Sequence, residues 1–517
     1  MSNFWNMDRR TVLKGLAASA LVTATGKPSF AAPTRGGHMR LALAGGSSVA
    51  SLDPTTYSDS GMYILAYATK SGLTEITSKS TVSPALAESW DFSKDARTWI
   101  FNLRKGVTFH SGKSLTADDV IASINLHRGP DSKSAGASWL SDVQDVKADG
   151  QNRVVFSLAG GNAEFAAVLS AVPMQILPSK GGEITDVATA DGTGAYILED
   201  FEPGARASVK RNPNYWNPDV GFVDSAEVLY VADAAARMNA LRSGNVDIIN
   251  RVDAKTARLL KRVPGLKVEE INGGLHDVFC MMTDVAPFND PNVRLALKYA
   301  INRKEMVEKV LMGHGEVAND NPLAPSNPYY LKDLPQREYD PEKAKFYLNK
   351  AGLTSVDIPL SVSETGFPGA TDAAVLYAGS AQEAGLNINV TREPDDGFFE
   401  KVWMKKPFTV DFWEGQATAD MTLSKAYSAT SPHNETHWKN PKFNELLIAA
   451  RGETDEPKRR VMYQDMQQLI HDDGGAVIPM YVNHLWAVGS KVKHNEDISV
   501  DYDLDGMKCI QRWWLAD

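Results

Sequence analysis

Strand-like and helix-like segments alternate along this chain of 517 residues, and the alternation limits the possible folds more than any other feature. Residues 97–104 (RTWIFNLR) are rich in aromatic and β-branched side chains and predict a strand. Residues 116–128 (TADDVIASINLHR) predict a helix with Thr116 as its N-cap. Residues 36–43 predict the first strand of the chain. Alternation of this kind favours an α/β architecture.

Helix signals continue through the C-terminal half of the chain. Asp340, Pro341 and Gly352 predict the cap, the first residue and the end of one helix. Asn440 followed by proline predicts the start of another. An apolar helical face extends over residues 293–311 and ends at Gly313.

The loop between the strand and the helix described first, residues 106–114 (GVTFHSGKS), is close to a phosphate-binding loop. The required spacing fails by one residue, because Val107 lies where the first glycine of the motif should be. Asp118 and Asp119 in the first turn of the following helix would also repel a phosphate. We therefore expect this loop to bind no nucleotide.

Composition is that of a globular protein with room for about three domains. Hydrophobic residues make up 43% and charged residues 23%, and the mean hydropathy is −0.28. The net charge is −10, and residues 1–32 are locally basic, so the remainder is more acidic still. An acidic body without a basic run argues against nucleic acid and against anionic membrane surfaces as partners.

The N-terminus has the pattern of an export signal. Residues 9–14 (RRTVLK) resemble the twin-arginine motif, the apolar run of residues 16–25 is too short to span a bilayer, and small residues precede a cleavage site near 31–32. An ordinary Sec signal that carries two arginines is the alternative. Since no cysteine lies at the end of this signal, we expect a periplasmic protein without a lipid anchor. The two cysteines, Cys280 and Cys509, leave one disulfide possible but not required.

Residues that could carry chemistry are scattered. His110 and Ser111, with Asp118 and Asp119 nearby, lack the nucleophile-elbow pattern of hydrolases, so a structural role is expected. A secreted hydrolase stays open as an alternative function of a different class.

Two histidines have the spacing of metal ligands on one face of a helix. His433 and His437 stand four residues apart, but the prolines at 432 and 441 leave almost no room for a helix. We expect no catalytic residue, no metal site and no cofactor.

Several sequence blocks together resemble the extracytoplasmic solute-binding proteins of the oligopeptide, dipeptide and nickel ABC transporter family, known as solute-binding protein family 5. Residues 86–124 are similar to the family signature, with Ser111 in place of an aspartate. Residues 192–216 resemble the block that ends in RNPNYW, with Ala195 in place of a proline. The blocks RMNALRSGNVDI, VRLALKYAINR and YDPEKAKFYLNKAG follow in the family's order, so the resemblance covers residues 36–514.

The resemblance implies an α/β, two-lobed periplasmic binding protein of the Venus-flytrap type, with an extra domain in the first lobe. The domains it implies are a signal peptide at 1–32, a lobe I core domain formed by 33–75, 185–290 and 487–517, an extra domain at 76–184, and a lobe II domain at 291–486.

The implied function is transport without chemistry. The lobes would close on a peptide or peptide-like solute, and a monomer would deliver it to a membrane permease that works with a cytoplasmic ATPase. An opine, a sugar conjugate or a metal chelate is the alternative ligand on the same scaffold.

Four residues are the candidate ligand contacts that the resemblance implies. Tyr57 follows the first strand, and its alternative is packing on its own lobe. Trp413, Glu414 and Asp420 lie in the matching segment of the second lobe, where Met421 replaces the proline that follows the aspartate in peptide-binding relatives. Trp413 could instead be a strand-core residue. A carboxylate buried by closure, Glu414 or Asp420, predicts an ammonium or a hydroxyl-rich ligand.

Overall fold

A computed structural model describes residues 33–516 apart from 58, 80, 130, 131, 133 and 135, so the predicted signal at 1–32 lies outside the described residues. The strands of the described part are, in chain order, β1 (His38–Leu43), β2 (Thr74–Ile76), β3 (Val82–Pro84), β4 (Ala87–Phe92), β5 (Thr98–Leu103), β6 (Val143–Ala148), β7 (Arg153–Leu158), β8 (Tyr196–Glu202), β9 (Arg206–Arg211), β10 (Ser225–Tyr230), β11 (Ile248–Ile249), β12 (Leu266–Met281), β13 (Gly315–Val317), β14 (Val356–Val362), β15 (Leu386–Arg392), β16 (Phe408–Trp413), β17 (Ala476–Gly489), β18 (Val492–Lys493) and β19 (Trp514–Leu515).

The helices alternate with the strands along the chain. In chain order they are α1 (Ser60–Thr69), α2 (Ala117–Asn125), α3 (Phe165–Val168), α4 (Ala234–Arg242), α5 (Ala254–Leu260), α6 (Pro291–Tyr299), α7 (Arg303–Lys309), α8 (Pro341–Lys350), α9 (Ala370–Gln382), α10 (Phe398–Lys401), α11 (Ala419–Tyr427), α12 (Pro441–Gly452), α13 (Glu456–Asp473), α14 (Asp503–Met507) and α15 (Cys509–Arg512). No described helix is both long enough and apolar enough to cross a membrane.

Helix ends follow the local sequence signals. The Asp340 side chain accepts a hydrogen bond from the Lys343 backbone N–H at 2.8 Å, and Pro341 is the first residue of α8. Gly352, just after this helix, has φ +77°, which a residue with a Cβ adopts only at a cost. Asn440 caps α12 in the same way, with its side chain accepting from the Lys442 N–H at 2.9 Å.

The apolar face at residues 293–311 is divided between two helices. α6 ends at Tyr299, and Asn302 caps α7 by accepting from the Glu305 N–H at 3.2 Å. Asparagine competes for backbone hydrogen bonds and favours a cap over a helix interior, so the chain turns here although the apolar pattern continues.

One sheet of eleven strands extends through both lobes. Its order is β15-β14-β16-β12-β17-β11-β1-β10-β9-β8, with β13 paired to β17. We call the part built on β1 and β8–β11 the first lobe and the part built on β13–β16 the second lobe. The long antiparallel strands β12 and β17 belong to both, so they connect the lobes twice.

The extra part of the first lobe has a sheet and a core of its own. The antiparallel order β4-β5-β7-β6 is separate from the large sheet. Trp99, Phe101, Phe156 and Phe165 pack at its centre, with ring centroids 5.2–6.5 Å apart among the pairs in contact. The domain boundaries given by the sequence stay a prediction. The large sheet passes from lobe to lobe inside β12 and β17; the boundary expected at 486/487 lies within β17, and the one expected at 290/291 lies after the end of β12.

Candidate ligand-binding cleft

The two lobes meet where β12 departs from regular pairing with β17. Asn272 pairs with Asn483, but the next pair is His276 with Tyr481, so β12 has two more residues than its partner at this point. A bulge of this kind bends the strand and increases its twist. The inserted residues include Gly273 and Gly274, and Gly274 has φ +84°.

Glycine at this bulge lets three backbone segments come together. A Cβ on Gly415, which follows β16, would lie 2.3 Å from the Gly273 carbonyl oxygen. A Cβ on Gly273 would lie 2.3 Å from the Val500 carbonyl oxygen and 2.5 Å from His484 Cδ2. Since atoms cannot approach this closely, only glycine fits at either position.

A pocket opens beside these glycines, between residues of both lobes. It spans about 400 Å³ of space outside the protein atoms, part of it open to solvent. The second lobe contributes most of the lining, and the first lobe contributes from the segment that precedes α14. The lining residues are Gly273, Gly274, Pro322, Leu323, Ala324, Ser326, Asn327, Pro328, Gly415, Gln416, Ala417, Thr422, Val500 and Asp501.

Glu414 precedes the pocket residue Gly415 in the chain, and one of its oxygens has no hydrogen-bonding partner in the described part of the protein. Glu414 Oε2 is buried, and His484 Nε2 lies 3.7 Å from it, which is too long for a hydrogen bond. His484 Nε2 likewise lacks a hydrogen bond in the described part of the chain. Burial raises the pKa of the Glu414 carboxyl to about 7, against a smaller opposing effect of Arg251, and burial lowers the pKa of His484.

Asp503 approaches the same place from the first lobe. It is 3% exposed, and its Oδ1 has no hydrogen-bond partner among residues 33–516 that are described. Burial raises its pKa, with a smaller contribution from Glu414, while His484, Arg251 and the neighbouring Asn250 side chain lower it. It begins α14, in which Leu504 and Asp505 have φ values of +50° and +64°. Left-handed backbone at non-glycine residues is unfavourable, and strain of this kind clusters at functional sites.

Three asparagine side chains complete what we call the hinge cluster, together with Glu414, His484 and Asp503. Asn272 Nδ2, Asn483 Oδ1 and Asn250 Nδ2 are buried and have no hydrogen bond within the described residues. Asn250 is fixed by its other atom, since its Oδ1 accepts from the Ala44 N–H at 2.7 Å. Unpartnered buried polar atoms are rare in folded proteins, and a group of them indicates a missing ligand or water.

The lobes also touch through Arg451 of α12. Its Nε lies 3.1 Å from Asp420 Oδ2, and its Nη1 lies 3.2 Å from Asp142 Oδ2 of the extra part of the first lobe. The Arg451 carbonyl oxygen accepts from the Ala163 N–H at 2.8 Å. One arginine therefore holds a carboxylate of each lobe.

Two further contacts accompany Arg451. Tyr463 donates its hydroxyl to Glu164 Oε2 at 3.2 Å, and Met421 packs in the apolar core of the extra part of the first lobe. Burial raises the pKa of Glu164 to about 7. We call Asp142, Glu164, Asp420, Arg451 and Tyr463 the outer contact.

The structure places the four sequence-predicted residues in different surroundings. Glu414 lies in the hinge cluster. Asp420 is 8% exposed and is held by Arg451 in the outer contact, away from the pocket lining. Its carboxylate is therefore already paired with a cation. Met421, in the place of the family's proline, packs against the other lobe instead.

The two aromatic candidates, Tyr57 and Trp413, pack in the cores of their own lobes, which is the alternative that the sequence left open for each. Tyr57 is 4% exposed, lies in the core of its own lobe and donates its hydroxyl to the Leu52 carbonyl oxygen at 2.8 Å. Trp413 ends β16 in the second-lobe core, and its Nε1 donates to Glu435 Oε1 at 2.7 Å. Neither lines the pocket described above. A ligand contact for either stays a prediction.

Several residues of the cleft were not predicted. Gln416 and Thr422 line the pocket, and His484 of β17 and Asp503 of α14 belong to the hinge cluster. Gln416 lies two residues after Glu414, so the strand segment could have indicated it. Nothing local in the sequence indicates His484 or Asp503.

In the loop at residues 106–114, which is close to a phosphate-binding motif, the lysine forms an internal ion pair. Lys113 Nζ lies 2.6 Å from Asp119 Oδ1, and Asp119 also accepts from the Ser179 N–H at 2.7 Å. The lysine that a phosphate would need therefore neutralises a buried carboxylate. His110 faces the Gly194 carbonyl oxygen at 3.2 Å, so this structure does not join it to Asp118 or Asp119.

The remaining motifs are also separate. His437 Nδ1 lies 2.9 Å from Asp284 Oδ1, and the His433 ring is tilted against the Trp403 ring with their centroids 6.3 Å apart. In the described part of the chain, no group of three histidine, cysteine or acidic residues could hold a metal ion. Cys280 and Cys509 are both free and buried, in the cores of different lobes.

Comparison with known proteins gives one consistent family. Residues 81–436 match the family described as bacterial extracellular solute-binding proteins, family 5 Middle. Heme-binding protein A of Haemophilus influenzae is 28% identical over 427 residues, which cover 76% of this chain and 77% of that protein. The dipeptide-binding protein of Escherichia coli is 26% identical over 500 residues, which cover 86% and 91%.

A solved structure has the same fold. The ABC transporter-associated periplasmic binding protein of Helicobacter pylori in complex with the peptide STSA superposes with a TM-score of 0.78 at 23% identity, over 94% of this chain and 99% of that chain. The family match covers more than half of the sequence, and the two-lobed α/β fold agrees with it. The chain therefore belongs to family 5 of the bacterial extracellular solute-binding proteins.

Proposed function

We propose that this protein is the extracytoplasmic receptor of an ABC importer and that it captures a peptide or peptide-like solute between its lobes. The proposal follows from family membership and from the cleft. The lobes close on the solute, and the closed complex is presented to a membrane permease whose cytoplasmic ATPase drives import. Binding selects the closed form only as far as the solute contacts both lobes.

The observation that carries the proposal is the hinge cluster. Polar atoms of both lobes come together there, next in sequence to pocket residues, with no hydrogen-bond partner among the described residues. An unpaired buried polar atom costs about 1–3 kcal/mol, so the chain alone has no reason to keep several in one place. A solute with donors and acceptors at this position would satisfy them and would hold both lobes.

The peptide class is supported by relatives. One curated relative is named a dipeptide-binding protein, and the superposed structure holds the peptide STSA. Another relative is named a heme-binding protein, so the scaffold also accepts other solutes. The pocket has polar and apolar lining residues, which suits a short peptide better than a large apolar ring.

Isothermal titration calorimetry with di-, tri- and tetrapeptides tests the class, after the purified protein is unfolded and refolded to release any retained solute. We expect a short peptide to bind with a dissociation constant in about the micromolar range or tighter. Nickel–histidine, heme and a sugar-conjugate opine are the comparison ligands. Saturable binding of one of these, with no binding of any peptide, would contradict the peptide class.

We also propose that residues 1–32 direct twin-arginine export and are then removed, leaving no lipid anchor. Arg9 and Arg10 carry the motif. Replacement of both by lysine should keep the precursor in the cytoplasm, as seen by fractionation and immunoblotting. Normal export of this double variant, together with dependence on the Sec machinery, would show that the signal is of the ordinary type.

A further inference from the structure

We propose that the first lobe contains a second ligand site, apart from the cleft, in which Lys70 binds the carboxylate of a small organic anion. The site is a pocket between the core of the first lobe and its extra part. It spans about 500 Å³ of space outside the protein atoms, part of it open to solvent, which is a usual size for a small-molecule site. Among the described residues, none of the second lobe lines it, so a ligand can enter without closure of the lobes.

Side chains from distant parts of the sequence meet around this pocket. Lys70 follows α1, Glu75 lies on β2, and Lys508 and Arg512 come from the C-terminal segment. Lys508 Nζ and Arg512 Nη2 lie 3.3 Å and 3.5 Å from Glu75 Oε2. Both also donate to the Ile76 carbonyl oxygen, at 3.0 Å and 3.1 Å. These two cations therefore already have partners within the protein.

Lys70 is buried by backbone packing rather than by an acidic partner. It is 1% exposed, and the segment that contains Gly192 and Gly194 packs against it. A Cβ on Gly192 would lie 2.9 Å from Lys70 Cγ, and a Cβ on Gly194 would lie 2.6 Å from the Lys70 backbone nitrogen, so glycine permits this approach. In the described part of the chain, the Lys70 ammonium forms neither an ion pair nor a hydrogen bond.

The other buried lysines have partners. Lys298 is fully buried, and its Nζ donates to the carbonyl oxygens of Ile470 and His471, each at 3.0 Å. Lys508 is 4% exposed and has Glu75 and a carbonyl oxygen, as described above. Burial of an ammonium without such partners is costly. The geometry at Lys70 is therefore the one expected when a ligand supplies the negative charge.

Lys70 keeps most of its charge at neutral pH. Burial lowers its pKa to about 8, and Asp191 and Asp186 oppose this effect. Roughly nine-tenths of the side chain is therefore protonated at about pH 7. Burial, and to a smaller extent the charge of Lys70, lowers the pKa of His110, so this histidine is neutral. The other titratable side chains around the pocket are Tyr67, Glu75, Tyr215, Lys508 and Arg512.

The charges of the lining indicate a singly charged anion. Lys70, Lys508 and Arg512 outnumber Glu75, and Arg512 also lies 3.1 Å from Asp505 Oδ1. With both acidic groups counted, at least one positive charge stays unmatched. A carboxylate supplies one negative charge, whereas repulsion by Glu75 grows with each further charge on the ligand.

Aromatic side chains in the same lining suit the apolar part of an organic anion. The rings of Tyr215 and Trp216 have centroids 5.3 Å apart, and Tyr67 also lines the pocket. Trp216 Nε1 is buried and has no hydrogen bond within the described residues, so it is available to donate to a carboxylate oxygen. An aromatic carboxylate therefore matches both the charge and the walls.

The charge of Lys70 makes anion binding depend on pH. A carboxylate favours the ammonium form, so binding above about pH 8 takes up a proton. The affinity for benzoate, which stays ionised, should fall by about tenfold or more between about pH 7.5 and about pH 9.5. A neutral ligand should show no such slope.

The test compares benzoate with benzamide, which keeps the ring without the charge, and with sulfate, which is charged but has no ring. Titration calorimetry is carried out with the refolded protein at several pH values from about 7.5 to about 9.5. At the lowest of these, we expect benzoate to bind the wild type at least about tenfold more tightly than either comparison ligand.

Three variants separate recognition from folding. Lys70→Met should weaken benzoate binding by about tenfold or more and remove the pH slope. Trp216→Phe keeps a ring but loses the Nε1 donor, and should weaken binding by about two- to tenfold. Lys304→Met is the matched control and should bind like the wild type, because the Lys304 side chain is 65% exposed and lies 2.9 Å from Glu338 in the second lobe.

Thermal denaturation shows whether each variant folds. Since an unpaired buried ammonium is unfavourable, Lys70→Met should unfold at the same temperature as the wild type or higher. A lower unfolding temperature, with benzoate binding unchanged, would show that Lys70 is structural and that the anion site is wrong. If Lys70→Met does not fold, the pH slope of the wild type and the affinity of Trp216→Phe test the site instead.

The remaining outcomes are also distinct. Equal binding of benzoate and benzamide, or no binding of benzoate, would contradict the anion site. Sulfate binding as tight as that of benzoate would exclude an organic carboxylate as the ligand class. Because the pocket lies within the first lobe, these results do not depend on the cleft. Failure of every peptide to bind would contradict the proposed function and leave the anion site unaffected.

Discussion

The outer contact and the hinge cluster both join the two lobes, but polar side chains are paired in the outer contact and lack partners in the hinge cluster. In the outer contact, Arg451 pairs with a carboxylate from each lobe, and Tyr463 donates to Glu164. In the hinge cluster, Glu414 Oε2 and His484 Nε2 face each other at 3.7 Å without a hydrogen bond. The same chain therefore completes one interface by itself and leaves the other incomplete.

This difference predicts a separate role for each region. A paired network contributes to holding the lobes together whether or not a solute is present, whereas unpaired groups become favourable only when a solute supplies their partners. The outer contact should accordingly control stability and the open–closed balance. The hinge cluster should control affinity and specificity. Substitutions in the two regions should separate these properties.

The largest effect on stability is expected from Arg451→Met. The change keeps much of the apolar stem but leaves Asp420 without its cation in a site where it is 8% exposed. Breaking a buried ion pair in this way should lower the free energy of unfolding by about 2–3 kcal/mol. Urea denaturation followed by fluorescence measures it. A variant with unchanged stability would show that Asp420 is solvated rather than held by Arg451.

Gly415→Ala should have the next largest effect. The new methyl group would lie 2.3 Å from the Gly273 carbonyl oxygen, so β16 and the bulge of β12 must move apart. We expect a loss of about 1–3 kcal/mol in stability together with weaker solute binding, because the bulge positions the cleft. Gly379→Ala in α9 is the matched control, since a Cβ there meets nothing within 4 Å. Equal behaviour of the two variants would contradict the close-contact account.

Glu414→Gln should change the free energy of unfolding in the opposite direction to Arg451→Met. Because burial raises the pKa of Glu414 to about 7, the folded protein holds a proton that the unfolded chain releases near its ordinary pKa. The carboxylate therefore lowers stability progressively as the pH rises from about 4.5 to about 7. Thermal denaturation should show the variant at least as stable as the wild type, with a difference that grows with pH in this interval. A variant less stable at every pH would mean that Glu414 is structural.

The smallest effect is expected from Asp142→Asn. Asp142 is 42% exposed, so its bond to Arg451 should contribute less than about 1 kcal/mol. Because this bond crosses between the lobes, its loss should shift the empty protein toward an open form without affecting the cleft. Small-angle scattering should report a larger radius of gyration than for the Asp145→Asn control on β6. An unchanged radius of gyration would show that other contacts hold the lobes closed.

The sequence predicted best what depends on neighbouring residues. The caps at Asp340 and Asn440 and the strand–helix corner at residues 97–128 use side chains within three or four positions of their partners, so the pattern alone indicates them. The family blocks gave the two-lobed fold. The division between α6 and α7 was less clear, because the apolar pattern continues across the turn at Asn302.

The site was predicted only in part, because its contacts join distant residues. The family segment predicted Glu414 and Asp420 as ligand contacts, and both stay predictions. No local signal shows that Asp420 pairs with Arg451, which lies 31 residues further on, or that Arg451 reaches Asp142 across 309 residues. His484 and Asp503 come to the cleft through the crossing of β12 and β17 and through a left-handed turn, neither of which has a periodic pattern.

The most direct measurement is a crystal structure of the wild-type protein closed on the peptide that binds it most tightly. Our account predicts that the solute lies beside Gly273 and Gly415, with a polar group within about 3.2 Å of Glu414 Oε2. The outer contact should be present in the same crystal with Arg451 between Asp142 and Asp420. A solute bound elsewhere, with the atoms of the hinge cluster satisfied by water alone, would contradict the account.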